Sequence, residues 1–317
     1  AALSAAGGFA ASAAVRPPVA LRPSAGTISL AAAGKLDIAA WTYNGSSPGQ
    51  TLRVKQGEDL AVRLHNSLAE ETTIHWHGVR TPGSMDGVPY ITQPPIKPGA
   101  EHSYRFACAD AGTYWYHPHA NSQGQLGRGL YGPIIVEEEK PIAVDRDLVW
   151  MLADWRIGKD RQAMEDFGQL HESSHAGRLG NAVTVNGELE TVLRVRPGER
   201  LRLRLINAAT ARIFAPEFSG LSGWIVAFDG QPVEPRSIGN GKNYIAPGNR
   251  VDLILDIPAD APADAKFAIE DQTYRDRFFT IAVIAVAGNA VRTKALGKPA
   301  KLQANPLGTP NLPGAET

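Results

Sequence analysis

Apolar and polar positions alternate along much of the chain with a period of two. Leu52 and Val54 alternate with Arg53 and Lys55; after Gln56-Gly57-Glu58-Asp59, Leu60, Val62 and Leu64 alternate with Ala61, Arg63 and His65. Alternate residues of a strand share a face, so each run predicts a half-buried strand, and the turn residues between them predict a hairpin. The unit recurs where Val192, Leu193 and Val195 lead through Arg196-Pro197-Gly198-Glu199 into Leu201, Leu203 and Leu205, alternating with Arg202 and Arg204. The match of VKQGEDLAVRLHN at 54–66 to VRPGERLRLRLIN at 195–207 is an internal repeat, and it predicts two homologous β domains.

Boundaries follow from composition. The first domain is predicted over 25–137, closing with the apolar strand Gly132-Pro133-Ile134-Ile135-Val136, and the charged run Glu137-Glu138-Glu139-Lys140-Pro141 opens a linker over 138–146. The second is predicted over 147–287 and ends in a strand from Phe278 to Val286. Residues 288–317, rich in Pro, Gly, Ala and Asn, read as a linker toward a further domain. Residues 1–24 read as a leader: Ala11-Ser12-Ala13 fits the small-residue rule of a signal-peptidase site and predicts a periplasmic or secreted protein, although an Ala/Gly/Ser-rich linker fits the same letters. The fold class expected is all-β, a Greek-key sandwich or barrel in each domain.

A length of 317 residues and a hydrophobic content of 43% suffice for two cores. Thirty-two Gly and 23 Pro spread along the chain punctuate many short strands. Lys plus Arg equals Asp plus Glu at 32 each, which removes the basic field a nucleic-acid partner requires. No run of 18 apolar residues predicts a membrane span. The one cysteine, Cys108, rules out an intramolecular disulfide and a CxxC zinc site, and is expected to be a small buried or edge residue.

Against this background two His-X-His pairs stand out, His75-Trp76-His77 and His117-Pro118-His119. In a strand the two histidines of a pair project from one face, about 6.6 Å apart, while Trp76 points to the other. Nitrogen ligands sit about 2 Å from a first-row metal, so such a pair reaches neighbouring ions more comfortably than it chelates one. Pro118 fits only an edge, a bulge or a strand end. Four histidines in two pairs imply a polynuclear site, and imidazole alone leaves copper, zinc, iron and nickel open.

The segments ThrIleHisTrpHisGly at 73–78, MetAspGlyValPro with ThrGlnProProIleLysProGly at 85–99, AlaGlyThrTyrTrpTyrHisProHis at 111–119 and GlnLeuGlyArgGlyLeuTyrGlyProIleIleVal at 125–136 together resemble the multicopper oxidases, the family of laccases, bacterial cuprous oxidases and bilirubin oxidases. The likeness extends to Asn186-Gly187, the 196–207 segment and Ala246-Pro247-Gly248-Asn249-Arg250-Val251-Asp252, which look like the second cupredoxin domain of three-domain members. The resemblance implies copper: His75 on the type 2 ion, and His77, His117 and His119 on the type 3 pair. It puts Asp86 in the place of a carboxylate that relays protons near the type 2 ion; without it, Asp86 is equally a turn residue before Gly87. The implied activity is one-electron oxidation of phenolic, metal-ion or similar donors coupled to reduction of dioxygen to water.

The sequence departs from the family in lacking the His-Cys-His segment that would complete the cluster and build the type 1 site. Half a trinuclear site is therefore expected here, with the rest supplied by a missing C-terminal cupredoxin domain or another chain. The alternatives are a copper-binding module without turnover and a copper-free scaffold. His171-Glu172-Ser173-Ser174-His175 matches the HExxH zinc pattern, which acts only on a helix with a third ligand; a variable loop is expected there instead. His65 and His102 are expected to be plain surface histidines.

Overall fold

The computed structural model describes residues 17–30, 36–175, 177–239, 242–274 and 278–307, so the Ala11-Ser12-Ala13 leader segment lies outside the described residues. The first half contains β1 (Val19–Leu21), β2 (Pro23–Ser29), β3 (Asp37–Tyr43), β4 (Leu52–Lys55), β5 (Asp59–His65), β6 (His75–His77), β7 (Glu101–Ala107), β8 (Gly112–His117) and β9 (Gly132–Glu137), with the short helix α1 (Ser122–Gly127) before β9. The second contains β10 (Arg146–Trp155), α2 (Leu170–Ser174), β11 (Ala182–Val185), β12 (Thr191–Val195), β13 (Arg200–Asn207), β14 (Pro216–Glu217), β15 (Ser222–Phe228), β16 (Gln231–Ser237), β17 (Arg250–Asp256), β18 (Lys266–Asp271) and β19 (Phe279–Val286). The protein is all-β, as the alternating pattern predicts.

In the first half, sheets β1-β5-β7 and β4-β9-β8-β6 enclose a core of Leu52, Val54, Leu60, Val62, Leu64, Trp76, Tyr104, Phe106, Tyr116 and Ile134. In the second, sheets β11-β10-β13-β17-β15-β16 and β12-β19-β18-β14 enclose Leu152, Leu201, Leu203, Leu205, Leu253, Leu255 and Ile284. Each such side chain, fully buried, contributes about 1.5–3 kcal/mol. The ribbon β2-β3 reaches across, packing Leu30, Ile38 and Ala40 against Trp155 of the second half.

The two repeat units are strand pairs, but they are not hairpins. β4 pairs with β9 while β5 pairs with β1 and β7; likewise β12 pairs with β19 while β13 pairs with β10 and β17. The turns explain this correction. Glu58 N–H donates to Lys55 C=O with Gly57 at φ 84°, and Glu199 N–H donates to Arg196 C=O with Gly198 at φ 75°. Positive φ at the third turn residue only is the type II pattern, and Pro197 enforces negative φ at the second. Type II turns splay the flanking strands where the primed hairpin turns would keep them paired, so each unit arches from one sheet to the other.

Strand β13 is buried on both faces. Leu201, Leu203 and Leu205 enter the core, Arg202 and Arg204 enter the seam between the halves, and Arg200 pairs with Asp256 and Gly297 C=O, where the sequence pattern alone would have put all three in water. Arg202 Nη2 donates to Asp252 Oδ2 at 2.7 Å and to Glu138 Oε1 at 2.6 Å. Arg204 is bidentate to Asp147 and donates through Nη1 to Thr113 Oγ1 at 2.9 Å. Glu138, in the charged run after β9, is thus a buried anion of this network, its side chain 6% exposed. Beside it lies an apolar seam in which Trp115 and Tyr131 meet Met151, Ala153, Ile206 and Ala208.

The segment after β19 packs back on this seam. Leu302 is buried with Val226, Ala227 and Ile254, and Asn305 bonds to Ala111 and Gly230.

Candidate metal centre

β6 and β8 are antiparallel neighbours, with His75 opposite His117 and His77 opposite Trp115. Trp76 points into the core with no exposed surface, and its indole N–H donates to Met85 C=O at 2.9 Å. Burying Trp76 fixes the facing of β6: a one-residue slip would place both histidines in the core. His117 is the last residue of β8, and Pro118, lacking an N–H, follows the strand end. His119 therefore lies beyond the ladder and is placed by its backbone N–H, which donates to Thr73 Oγ1 at 3.1 Å.

The four rings converge. Ring centroids are 4.3 Å apart for His75 and His119, 5.1 Å for His117 and His119, and 5.5 Å for His77 and His117. A ligand nitrogen from each of His75, His77 and His117 lies within 4.8 Å of the others. His77 Nδ1 is 3.3 Å from His117 Nε2.

Hydrogen bonding assigns which nitrogens face inward. The Pro118 C=O lies 3.1 Å from His117 Nδ1, and the Asp86 C=O lies 2.8 Å from His75 Nδ1. A carbonyl only accepts, so each Nδ1 carries a proton and Nε2 is the nitrogen turned toward the other rings. Asp86 thus supports His75 through its main chain, and its Oδ1 is also 3.4 Å from the same nitrogen.

Burial, followed by the charge of Arg250 and the neighbouring rings, pushes the His77 pKa down to about 3. Burial, then the adjacent histidines, hold His117 well below the usual imidazole range. Burial and then His75 lower His119, opposed by Asp86. These three rings are consequently neutral at pH 7, and a neutral imidazole is the donor a first-row cation takes. Two nitrogens 3.3 Å apart also suit a shared ion about 2 Å from each.

Sequence reasoning missed several supporting residues. Trp115 stacks on both His77 and His117, at centroid distances of 4.9 and 4.2 Å. From the second half, Gly248 lies against the His77 ring, where a Cβ would be 2.9 Å from Cε1. Arg250 sits next to Gly78, its Nε donating to Thr113 C=O. The paired histidines were visible as a ligand motif; Trp115, Gly248 and Arg250 stand in the family-like segments 111–119 and 246–252, where nothing in the spacing shows that they pack on His77.

The other expectations resolve simply. His171 to Ser174 of the HExxH segment lie on a short helix, α2, in place of the loop expected, and His175 lies just past its end with a non-helical backbone. Glu172 is ion-paired to Arg156, and His175 Nδ1 bonds to His171 C=O at 2.9 Å. A glutamate committed to an arginine is no base for a metal-bound water. His65 is half-buried, 3.4 Å from Glu101, and half-buried His102 packs edge-on to Tyr104 at 4.6 Å, so neither is the plain surface histidine expected. Cys108 is fully buried, and burial pushes its thiol up to about 12.

Multicopper oxidase family models match residues 25–141 and 146–287. Copper resistance protein A of Pseudomonas syringae pv. tomato is 32% identical over 268 residues, 70% of this chain and 43% of that protein. Putative laccase-11 of Oryza sativa subsp. japonica is 31% identical over 280 residues, 80% of this chain and 50% of that protein. The crystal structure of a multi-copper oxidase from Pseudomonas thermotolerans superposes with a TM-score of 0.86 at 36% identity, covering 96% of this chain and 71% of that one. The chain spans about half the length of the curated relatives it matches. With these matches covering both β-sandwiches, the chain belongs to the multicopper oxidase family.

Proposed function

We propose that His75 is a ligand of a type 2 copper ion and that His77, His117 and His119 are ligands of a type 3 pair, in an oxidase that couples one-electron oxidation of phenolic, metal-ion or similar donors to reduction of dioxygen to water. One observation carries this reading: ligand nitrogens of His75, His77 and His117 gather within 4.8 Å of one another with the His119 ring beside them, in a chain of this family. Copper, when bound, supplies the one-electron redox chemistry.

The chain's own residues hold and orient. Asp86 C=O fixes His75 with Nε2 inward, Pro118 C=O does the same for His117, and Trp115 limits the tilt of His77 and His117. The Asp86 carboxylate beside His75 is placed to exchange a proton with water at the site. The remaining cluster ligands and the type 1 site come, on this reading, from protein outside these 317 residues, whether a further cupredoxin domain or another chain. An exported location, periplasmic or secreted, goes with the leader-like segment; among the described residues no helix is long and apolar enough to cross a membrane.

Copper titration of the metal-free chain, followed by desalting and electron paramagnetic resonance, tests the half-site. Copper retained with nitrogen hyperfine structure is expected, and complete loss on desalting would sink the ligand assignment. In the protein carrying the complementary ligands, oxygen uptake with a phenolic donor is expected; copper retention without uptake would leave a copper-binding module.

A further inference from the structure

Two turns of the second half press on the strands that carry the histidines. In the first, Asp229 has φ 49° and Gly230 φ 80°, and Gly230 packs against Gly112 and Tyr114 of β8. In the second, Asn249 N–H donates to Ala246 C=O at 3.0 Å, and Gly248, at φ 84°, lies against the Cε1–Nε2 edge of His77. Any side chain at Gly248 would enter the ring, so the backbone itself is the wall. The edge of His77 opposite the cluster is thereby closed.

Arg250 ties both turns to the first half. It is 4% exposed at the start of β17, and its guanidinium makes three backbone bonds. Nε donates to Thr113 C=O on β8 at 3.2 Å, Nη1 to Gly248 C=O at 3.0 Å, and Nη2 to Asp229 C=O at 3.0 Å. The fork also fills the space beside Gly78, the residue after His77, where a Cβ would overlap Nη2. Only a planar group with divergent donors joins three carbonyls from three segments in this way.

The geometry points to Arg250 as a positioning residue for the four-histidine site: from the second half, it locks the Gly248 turn against His77 and so fixes the ring with Nδ1 toward His117. This rests on the copper reading for its functional meaning, and its geometric content is independent of it. The second half is then a working part of a site whose proposed ligands all lie in the first.

Two measurements on Arg250→Met, Arg250→Lys and the milder Asp229→Asn test it, with near-UV circular dichroism verifying the fold of each. In metal-free protein, the His77 ring 15N shifts are expected to move from a single tautomer toward an exchange average in Arg250→Met, partly recovered in Arg250→Lys, while those of His119 stay put. Should the Met variant not fold, Asp229→Asn is expected to give a smaller shift in the same direction. Copper affinity, read by chelator competition, is expected to fall about 10- to 100-fold in Arg250→Met, the range for losing a residue that orients a ligand. With His77→Ala already present, the same substitution should cost nothing further. Unchanged His77 shifts in the folded variants, or equal copper losses with and without His77, overturn the positioning role. A wild-type chain that binds no copper overturns the copper reading instead, and the 15N shifts then decide the positioning role alone.

Discussion

His77 Nδ1 lies 3.3 Å from His117 Nε2, though 40 residues separate them in sequence. The Pro118 carbonyl holds the His117 proton on Nδ1, so in the metal-free protein His77 Nδ1–H donates to the His117 Nε2 lone pair, and a cation bound between the two rings would take the place of that proton. His77→Ala and His117→Ala are accordingly expected to weaken copper binding beyond the roughly 10–100-fold that loss of an orienting neighbour costs. Chelator competition checks this. Wild-type affinity in either variant would show that the pair is not a ligand set.

Gly87 holds the loop that carries Asp86 against β6. Its φ is +79°, and a Cβ there would overlap the Ile74 carbonyl. Gly87→Ala therefore meets backbone on one side and an unfavourable conformation on the other, an expected loss of about 1–3 kcal/mol. Copper affinity should drop with it, because the Asp86 carbonyl that orients His75 moves. A variant with unchanged melting temperature and unchanged copper affinity would contradict this.

Asp252 stands between Arg202 and Arg204, all three side chains 1% exposed. Burial alone would raise its carboxyl pKa; the two guanidinium groups outweigh burial and hold it below the ordinary aspartate value of 3.8. The folded state therefore binds fewer protons than the unfolded state as the pH drops through that region. The stabilisation is fully present above pH 3.8 and is lost as pH falls toward the folded value. Asp252→Asn, which removes the carboxylate shared by two buried guanidinium groups and leaves Arg202 to Glu138 and Arg204 to Asp147, should cost about 3 kcal/mol at pH 7 and flatten this acid dependence. Urea melts at several pH values between 5 and 2.5 decide it: an equally steep acid slope in the variant would remove Asp252 as its source.

The same residues show what the sequence discloses and what it hides. Period-two runs such as Leu201, Leu203 and Leu205 announced strands and their core face, because burial of alternate residues is a local property. The partner of each strand is not local, yet the Pro197-Gly198 pair held an unused clue: proline at the second turn position is incompatible with a tight hairpin. The arginine face of β13 looked solvated because one strand cannot reveal what covers it; its acidic partners Glu138, Asp147 and Asp252 lie on other segments. At the candidate metal centre the paired histidines were visible since metal spacing is written within three residues. Thr73, Gly248 and Arg250 reach the site only through tertiary structure.

Cys108 has no exposed surface, and burial carries its thiol up to about 12. The thiolate is both nucleophile and copper ligand, so at pH 8 almost none is present. Native protein should not react with a disulfide reagent over hours, while one equivalent should react at once in guanidinium. Rapid native reaction, or a blue copper band from this chain that Cys108→Ser abolishes, would contradict the burial of this sulfur.

Asn305 decides whether the segment after β19 behaves as a linker. Its Oδ1 accepts from Ala111 N–H at 2.8 Å, and its Nδ2 donates to Ala111 C=O at 2.9 Å and Gly230 C=O at 3.2 Å. One amide thus pairs with main chain from both halves, next to the Gly112–Gly230 contact that β8 requires. Linker-like composition gave no hint of this, because a single asparagine at the right place outweighs many flexible neighbours. Asn305→Ala leaves the Ala111 N–H and C=O without those partners, an expected cost of about 1–3 kcal/mol locally. The loss should appear as faster proteolysis near residues 295–307, with the melting of the two β-sandwiches little changed. Cleavage at the wild-type rate would mean that Leu302 and its apolar neighbours, and not Asn305, hold the segment down.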